Sequence, residues 1–205
     1  MSSFRIAVFA SGSGSNFQAI LDHVNQQKLD IHIELLVCDR PGAKVIERAE
    51  KAGIPVFVFR PKDYISREMY EQEIVNELQK KQIDLIVLAG YMRLVTDTLV
   101  KPYYGKMINI HPSLLPAFTG LDAIGQAYKY GVKVTGVTVH FVDNGMDTGP
   151  IIKQEPVDIH EKDTIEELEQ NIHKVEHLIY PEVIELIAEG RVRLEGRRVS
   201  LYPKK

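Results

Sequence analysis

Two polar side chains stand two positions apart at the end of a short apolar run that predicts a strand. The segment 109–116 reads Asn-Ile-His-Pro-Ser-Leu-Leu-Pro, so Asn109 and His111 share one face of that strand. Pro112 ends the strand and places both at the carboxyl edge of a parallel sheet, where open α/β sheets bind ligands. An amide donor beside an imidazole suits acid–base catalysis. A histidine in a strand is also often structural, and both interpretations stay open here.

A carboxylate that could join this pair occurs later in the chain. The segment 143–150 reads Asp-Asn-Gly-Met-Asp-Thr-Gly-Pro and links two predicted strands. Asp and Asn in such turns usually hydrogen-bond to their own backbone, which accounts well for Asp143 and Asn144. It accounts less well for Asp147, because the turn is longer than a hairpin needs. The spacing does not by itself place Asp147 near His111.

A glycine-rich loop, Ser-Gly-Ser-Gly-Ser-Asn at 11–16, follows the first apolar run and opens a helical pattern. Backbone N–H groups at a helix N-terminus bind anions, and glycines let a phosphate approach closely. The alternative is a polar turn in which Ser15 or Asn16 caps the helix. The loop is no Walker sequence, and a dinucleotide fingerprint would need a glycine at Phe17. Asp39 does resemble the ribose-reading acid of that fingerprint, so a nucleotide-binding module is a rival interpretation.

The first half of the chain alternates between strand and helix patterns. Short apolar runs are typical of strands that are buried on both faces of a parallel sheet, and they cover 6–10, 33–38, 55–59, 85–89 and 107–110. Helical patterns lie between them at 16–26, 43–52 and 66–81. This alternation predicts right-handed βαβ units.

The second half has an antiparallel pattern. Residues 134–142 alternate like a strand, and 151–157 is the expected partner. A long helix is predicted over 163–190, with a capping box at Thr164 and Glu167 and with Pro181 expected to kink or divide it. A hairpin is expected around residues 195–196. We therefore expect one α/β domain over 1–205, with a parallel half (1–110) and an antiparallel half (111–205).

The composition limits the class of protein. The 205 residues are 44% hydrophobic and 26% charged, as in soluble globular proteins. There are 25 Lys and Arg against 28 Asp and Glu, so no basic excess indicates a nucleic-acid partner. Cys38 is the sole cysteine, which excludes an intrachain disulfide and a cysteine metal cluster. No apolar run approaches the roughly 18 residues of a membrane span or forms a signal peptide. We expect a cytoplasmic protein without a membrane partner.

Taken together, these segments resemble the folate-dependent formyltransferase family along essentially the whole chain. The NIHPSLLP segment with a later D-x-G is specific to formyl-folate enzymes. The loop at 11–16 and the EHLIYP segment resemble the branch that acts on glycinamide ribonucleotide. The matching segments are SGSGSN at 11–16, SREMYE at 66–71, LAGYMRLV at 88–95, NIHPSLLP at 109–116, GVTVHFVDNGMDTGPI at 136–151 and EHLIYP at 176–181.

The resemblance implies a Rossmann-like formyltransferase fold and a role for individual residues. The first half would bind phosphate, and the second would carry folate and catalytic groups. Arg67 would pair with the glutamate tail of folate, for which a guanidinium is suited. The remaining roles are substrate phosphate (Gly14, Ser15, Asn16), substrate ribose (Glu176), folate (Met92, Arg93, Leu94, Val95, Asn109) and catalysis (Asn109, His111, Asp147).

The implied reaction moves the formyl group of 10-formyltetrahydrofolate, a co-substrate, to the amine of glycinamide ribonucleotide in purine synthesis. Asn109 and protonated His111 would donate hydrogen bonds to the formyl oxygen as it gains charge. Asp147 would hold His111 in its charged form and could take the proton of the amine. His140 would support the site or be merely structural. No metal would be required.

Two other formyl-folate enzymes are rivals, methionyl-tRNA formyltransferase and formyltetrahydrofolate hydrolase, and each normally carries an additional domain. A non-catalytic nucleotide-binding Rossmann module is the rival of another class. Thr119 and Asp122 depart from residues that many members of the family carry, proline and histidine respectively, in the loop after the catalytic strand. We expect a monomer or weak homodimer.

Overall fold

The protein is described by a computed structural model that covers residues 4–204. Residues 1–3 and 205 of the predicted domain lie outside the described part. The chain divides into two compact units, Met1–Ile108 and Asn109–Lys205. The division falls two residues before the predicted boundary between the halves, so Asn109 and Ile110 belong to the second unit. That both units act as a single domain stays a prediction.

The first unit is built from parallel strands in the order β3-β2-β1-β4, and β5 begins within it. The pairs β1–β2, β1–β4 and β2–β3 are all parallel. Apolar side chains of β1 and β4 are almost fully buried, as expected for strands covered on both faces. The strands are β1 (Arg5–Phe9), β2 (His32–Cys38), β3 (Val56–Val58), β4 (Leu85–Leu88) and β5 (Met107–His111).

The predicted helices of this unit are confirmed within one residue at each end. They are α1 (Ser15–Asn25), α2 (Lys44–Lys51) and α3 (Arg67–Lys80). The four-residue helix α4 (Asp97–Val100) was not predicted, because one turn is too short to show helical periodicity. Thr96 caps it by accepting a hydrogen bond from the backbone N–H of Thr98.

The second unit holds the antiparallel part of the fold, in the strand order β5-β6-β7. Strands β6 (Val134–Phe141) and β7 (Ile151–Asp158) pair antiparallel, as predicted. A separate hairpin of β8 (Val192–Glu195) and β9 (Arg198–Leu201) confirms the predicted turn at 195–196. The helices are α5 (Ala123–Tyr130), which was not predicted, and α6 (Ile165–Ala188). The predicted α/β class with a parallel first half and added antiparallel strands is confirmed.

Helix α6 runs without interruption through Pro181, so the proline does not divide it. A proline inside a helix removes one backbone hydrogen bond, at a cost of about 3 kcal/mol. Neighbouring residues Tyr180, Val183 and Ile184 are fully buried, and this packing offsets the lost bond. Within residues 4–204, none of the helices combines the length and the apolar character that crossing a membrane requires.

We predict that Thr164→Ala lowers the free energy of unfolding by about 1 kcal/mol, because it removes the helix cap. The Thr164 hydroxyl accepts a hydrogen bond from Glu167 N at 3.2 Å, and the Glu167 carboxylate accepts one from Thr164 N at 2.8 Å. Urea unfolding measures the effect, with Thr164→Ser as the control that keeps the hydroxyl. Equal stability of the Ala and Ser variants would show that the cap contributes nothing.

Candidate active site

Strand β5 carries Asn109 and His111 on one face, as their spacing predicts. His111 is only 5% exposed, and Asn109 is half-buried. The neighbouring strand β6 carries His140, which is also buried. The strand register is irregular between Val139 and His140. Such irregularities change the direction of a side chain. This one lies at His140, whose imidazole contacts the amide of Asn109.

Asn109 and His140 form a hydrogen bond, with 3.2 Å between Asn109 Nδ2 and His140 Nε2. His140 Nδ1 lies 2.7 Å from the carbonyl oxygen of Phe141, which can only accept, so Nδ1 carries the hydrogen. Burial lowers the pKa of His140, and its neutral form leaves Nε2 as an acceptor. Asn109 must therefore turn its amide nitrogen toward His140. The second N–H of that nitrogen stays available to another acceptor.

His111 has contacts at both of its ring nitrogens. Its Nε2 donates a hydrogen bond to the carbonyl oxygen of Phe118 at 2.8 Å. Its Nδ1 lies 3.5 Å from Asp147 Oδ2, which is an ion-pair distance. The structure thus joins Asp147 to His111, a proximity that the sequence spacing did not establish. It also shows that the Nε2 hydrogen of His111 is already given to a backbone carbonyl.

Asp147 lies at the centre of this cluster. Its side chain is 12% exposed, and Oδ2 also accepts a hydrogen bond from Gly120 N at 2.8 Å. Its other oxygen, Oδ1, lies 3.9 Å from His140 Nε2. The backbone at Asp147 is left-handed, with φ of 56°, a conformation that Asp and Asn tolerate better than most residues. The side chain is therefore directed by an unusual backbone turn.

The turn that carries Asp147 is held by hydrogen bonds at its start and by close packing at its end. Asp143 Oδ1 accepts from Gly145 N at 3.1 Å and from the Thr148 hydroxyl at 2.6 Å, so Asp143 caps its own turn as predicted. At the other end, a Cβ at position 149 would collide with the Phe141 carbonyl oxygen, so only glycine fits there. These contacts fix the chain on either side of Asp147.

The loop after β5 is anchored to β6 by a buried threonine. The Thr138 hydroxyl donates to Ser113 O at 2.6 Å and accepts from Leu115 N at 3.1 Å. Ser113 in turn donates from its hydroxyl to Ala117 O at 2.6 Å. Thr138 and Ser113 are fully buried. This anchoring fixes the path of the backbone that then supplies the Phe118 carbonyl and the Gly120 N–H to the cluster.

Thr119 and Asp122, the two residues of this loop that depart from the family pattern, lie on either side of Gly120 and Leu121. Thr119 O accepts a hydrogen bond from Gln126 Nε2 at 3.2 Å. Asp122 is the left-handed residue that precedes α5, with φ of 55°. Neither side chain is part of the cluster around Asp147.

Glu176, the residue expected near the ribose, is 6% exposed on α6.

In the first unit, the glycine-rich loop leads directly into α1. The residue that caps α1 is Gly14, with φ of 73°, and no side chain caps the helix. The alternative that Ser15 or Asn16 is the cap is therefore wrong. A Cβ at position 14 would lie 2.5 Å from Val45 Cγ2, so the fold itself needs glycine there. The first turn of α1 keeps backbone N–H groups that no capping side chain covers.

The residues expected to bind folate lie on α3 and after β4. Arg67 is the first residue of α3 and is exposed. Met92 and Leu94 are 58% and 47% exposed, which is unusual for apolar side chains in one short segment. Arg93 pairs with Asp39, with 2.7 Å between Nε and Oδ2. The Asp39 carboxylate is fully buried in this pair, so it is not free to read a ribose as the rival interpretation requires.

The sequence did not indicate the backbone contributions of Phe118 and Gly120, because a carbonyl or N–H group has no residue signature. It did contain a signal for Glu71, which occupies the buried stripe of α3 with Ile74, Val75 and Leu78. An acid at that position is unusual.

Within residues 4–204, no group of three His, Cys, Asp or Glu side chains is arranged to hold a metal ion.

Comparison with known proteins gives one consistent family. The sequence model of the formyl transferase family matches residues 4–184. A curated relative from Bacillus subtilis (strain 168), named phosphoribosylglycinamide formyltransferase, is 58% identical over 88% of this chain and 92% of its own length.

Two solved structures of glycinamide ribonucleotide transformylase 1 have the same fold. The one from Symbiobacterium toebii is 46% identical, with a TM-score of 0.95 over 98% of this chain and 95% of that chain. The one from Geobacillus kaustophilus is 60% identical, with a TM-score of 0.89 over 91% of this chain and 99% of that chain. With a family match that spans β1 to most of α6, this chain belongs to the formyl transferase family.

Proposed function

We propose that this protein transfers the formyl group of 10-formyltetrahydrofolate to the amine of glycinamide ribonucleotide, giving the N-formyl product and tetrahydrofolate in purine synthesis. The observation that carries this proposal is the high identity to a curated phosphoribosylglycinamide formyltransferase over nearly the full length of both chains. The cluster of Asn109, His111 and Asp147 is chemically suited to that reaction, because formyl transfer develops negative charge on one oxygen and releases one proton.

The phosphate of glycinamide ribonucleotide binds at the start of α1 in this proposal. Gly14, Ser15 and Asn16 lie at the helix start, where the N-cap residue is a glycine. The helix dipole adds a partial positive charge at the same place. Glu176, on α6, accepts hydrogen bonds from the ribose hydroxyls. This site therefore selects a ligand that carries an anionic group at one end.

Folate binds at residues 92–95, an exposed segment of the first unit. The apolar side chains of Met92 and Leu94 contact the flat pterin ring, with Arg93 and Val95 completing the segment. Arg67 pairs with a carboxylate of the glutamate tail through its guanidinium. The exposure of Met92 and Leu94 supports this assignment. A ring that covers both side chains removes apolar surface from water, which favours binding.

The chemical step uses two hydrogen-bond donors, of which the Asn109 amide is already oriented by His140. The substrate amine attacks the formyl carbon, and Asn109 donates its second N–H to the formyl oxygen as that oxygen gains charge. His111 donates its Nε2 hydrogen to the same oxygen, which then replaces the carbonyl of Phe118 as the acceptor. Asp147 orients His111 and accepts the proton of the attacking amine, directly or through water. The bond between the formyl carbon and the N10 nitrogen of folate then breaks, and N10 takes up a proton, so that tetrahydrofolate leaves as a neutral amine. Removing one such donor costs about 10²–10³ in rate.

One assay tests the function against its rivals. The absorbance of folate is followed with 10-formyltetrahydrofolate, in the presence and absence of glycinamide ribonucleotide. We expect turnover only when both are present. A formyltetrahydrofolate hydrolase would turn over without the ribonucleotide, and a non-catalytic nucleotide-binding module would give no change with either. A requirement for methionyl-tRNA in place of the ribonucleotide would indicate the third rival.

We predict that Asp147→Asn lowers kcat by about 10²-fold or more, because it removes the proton acceptor and the charge beside His111. Asparagine tolerates the left-handed backbone at this position, and its side-chain oxygen can still accept from Gly120 N. The variant therefore keeps the turn and changes the charge alone. The affinity for glycinamide ribonucleotide, measured by calorimetry, should change by less than about twofold. An Asp147→Asn enzyme with full activity would remove Asp147 from the mechanism.

We predict that Arg67→Ala raises the KM for 10-formyltetrahydrofolate by about tenfold, because a paired guanidinium–carboxylate contact is lost. The value of kcat at saturating folate should stay nearly constant, since Arg67 does not contact the reacting atoms. Lys80→Ala, at the far end of the same helix, is the matched control. A loss in kcat equal to the change in KM would contradict this role.

We predict that His140 makes stability fall as the pH drops below 6.5, the ordinary pKa of histidine. Burial lowers the pKa of His140 in the folded state, so the unfolded chain binds the proton first, and acid favours unfolding. The titratable groups near the ring are His111, Asp147 and Asp143, and its hydrogen-bond partners are Asn109 and the Phe141 carbonyl. Urea unfolding across this range should show a weaker pH dependence in His140→Gln, which keeps an acceptor but cannot titrate. Parallel curves for the two proteins would exclude a titration of His140.

A further inference from the structure

The segment 90–96, which follows β4, has no regular secondary structure before α4 begins at Asp97. It carries the exposed side chains of Met92 and Leu94. Three polar side chains from three other elements nevertheless hold it. Each of the three is at most 2% exposed: Ser11, Asp39 and Glu71.

The first contact holds the start of the segment to the end of β1. Ser11 Oγ accepts a hydrogen bond from Met92 N at 2.8 Å. The backbone N–H of Ser11 also donates to Gly90 O at 3.1 Å. Ser11 therefore fixes two backbone positions, on either side of Tyr91.

The second contact holds the middle of the segment to the end of β2. Arg93 donates from Nε to Asp39 Oδ2 at 2.7 Å, and the Asp39 side chain is fully buried. The other oxygen, Asp39 Oδ1, is buried without a hydrogen-bond partner. A buried carboxylate with an unused acceptor is costly. Stability is therefore a weak explanation for this pair, and orientation of Arg93 is a better one.

The third contact holds the end of the segment to α3. Glu71 accepts from the Thr96 hydroxyl at 2.6 Å and from Thr96 N at 2.9 Å and 3.1 Å, one to each oxygen. Burial raises the pKa of Glu71, and the hydrogen bonds from Thr96 offset part of that effect. An apolar residue would suit the buried stripe of α3 better. The buried carboxylate therefore lowers the stability of the fold, and its hydrogen bonds hold one residue, Thr96.

The position of this bond relates it to the proposed folate site. Glu71 lies one helical turn after Arg67, on the same helix, and Thr96 directly follows Val95. The bond therefore sets the distance between the guanidinium at the start of α3 and the apolar segment 92–95. A ligand that contacts both must match this distance.

We propose that Glu71 is a positioning residue for folate, which fixes the segment 92–95 relative to Arg67 through its hydrogen bonds to Thr96. Ser11 and Asp39 hold the same segment at its start and middle. This inference rests on the proposed function. Glu71 does not contact the reacting atoms, so its loss weakens the binding of 10-formyltetrahydrofolate and leaves the chemical step unchanged.

The test compares Glu71→Gln with Glu77→Gln, the same substitution at a partly exposed site of α3 that pairs with Lys80. Steady-state kinetics with both substrates give kcat and the two KM values. We expect Glu71→Gln to raise the KM for 10-formyltetrahydrofolate by about tenfold, with kcat and the KM for glycinamide ribonucleotide within about twofold of the wild type. Glu77→Gln should match the wild type. A merely structural role would lower kcat through loss of folded enzyme, without this change in one KM.

A second pair of variants decides the matter if Glu71→Gln does not fold. Thr96→Val removes the hydroxyl that donates to Glu71 and also caps α4, and Thr96→Ser keeps both contacts. The Val variant should show the raised KM, and the Ser variant should restore the wild-type value. An unchanged KM in both Glu71→Gln and Thr96→Val, in an otherwise active enzyme, would overturn the inference alone. A wild-type protein without formyl transfer would instead overturn the proposed function, and this inference with it.

Discussion

The carboxylate of Asp147 is the constraint on which the arrangement of the second unit depends. It lies within 4 Å of both imidazoles and accepts a hydrogen bond from Gly120 N. A partly buried carboxylate is expensive unless donors surround it. Here the loop after β5 supplies a donor, Gly120 N, and the imidazole of His111 lies 3.5 Å from the same carboxylate oxygen. Any change in the left-handed turn at Asp147 would therefore disturb the imidazoles and the loop together.

A second consequence concerns the direction of hydrogen bonds. The Phe141 carbonyl fixes which nitrogen of His140 carries its hydrogen, and His140 in turn fixes the orientation of the Asn109 amide. Three groups in series thus decide that Asn109 presents an N–H, and not its oxygen, to a substrate. Donors that are oriented before the substrate arrives need no reorganisation as charge develops, which is the main source of electrostatic catalysis. Burial strengthens these bonds, because the local dielectric constant is low.

Much of the fold could be predicted because local patterns determine it. The strands of the first unit are continuous apolar runs, and the capping box at Thr164 is a local motif. The shared face of Asn109 and His111 follows from the period of a strand. The proximity of Asp147 could not be predicted, because it depends on a left-handed turn and on the pairing of β5 with β6. Helix α4 is too short for periodicity to show. Glu71 was predictable in principle, since it interrupts an apolar stripe, although its partner Thr96 was not.

Tertiary contacts bear on two of the interpretations that the sequence left open. His140 is joined to Asn109 and so belongs to the cluster, whereas Asp39 pairs with Arg93 and is buried. The first result links a histidine of β6 to the predicted catalytic pair. The second removes the acid that a dinucleotide-binding module would need. Both outcomes came from tertiary contacts that neither spacing nor composition could specify.

The most direct test of the polar cluster is the nitrogen-15 spectrum of the histidine side chains near neutral pH. The account predicts a neutral His140 with its hydrogen on Nδ1, and His111 with a hydrogen on Nε2. A His140 that carries its hydrogen on Nε2, or that is charged under these conditions, would contradict it. The amide of Asn109 would then have no reason to present an N–H to the formyl oxygen.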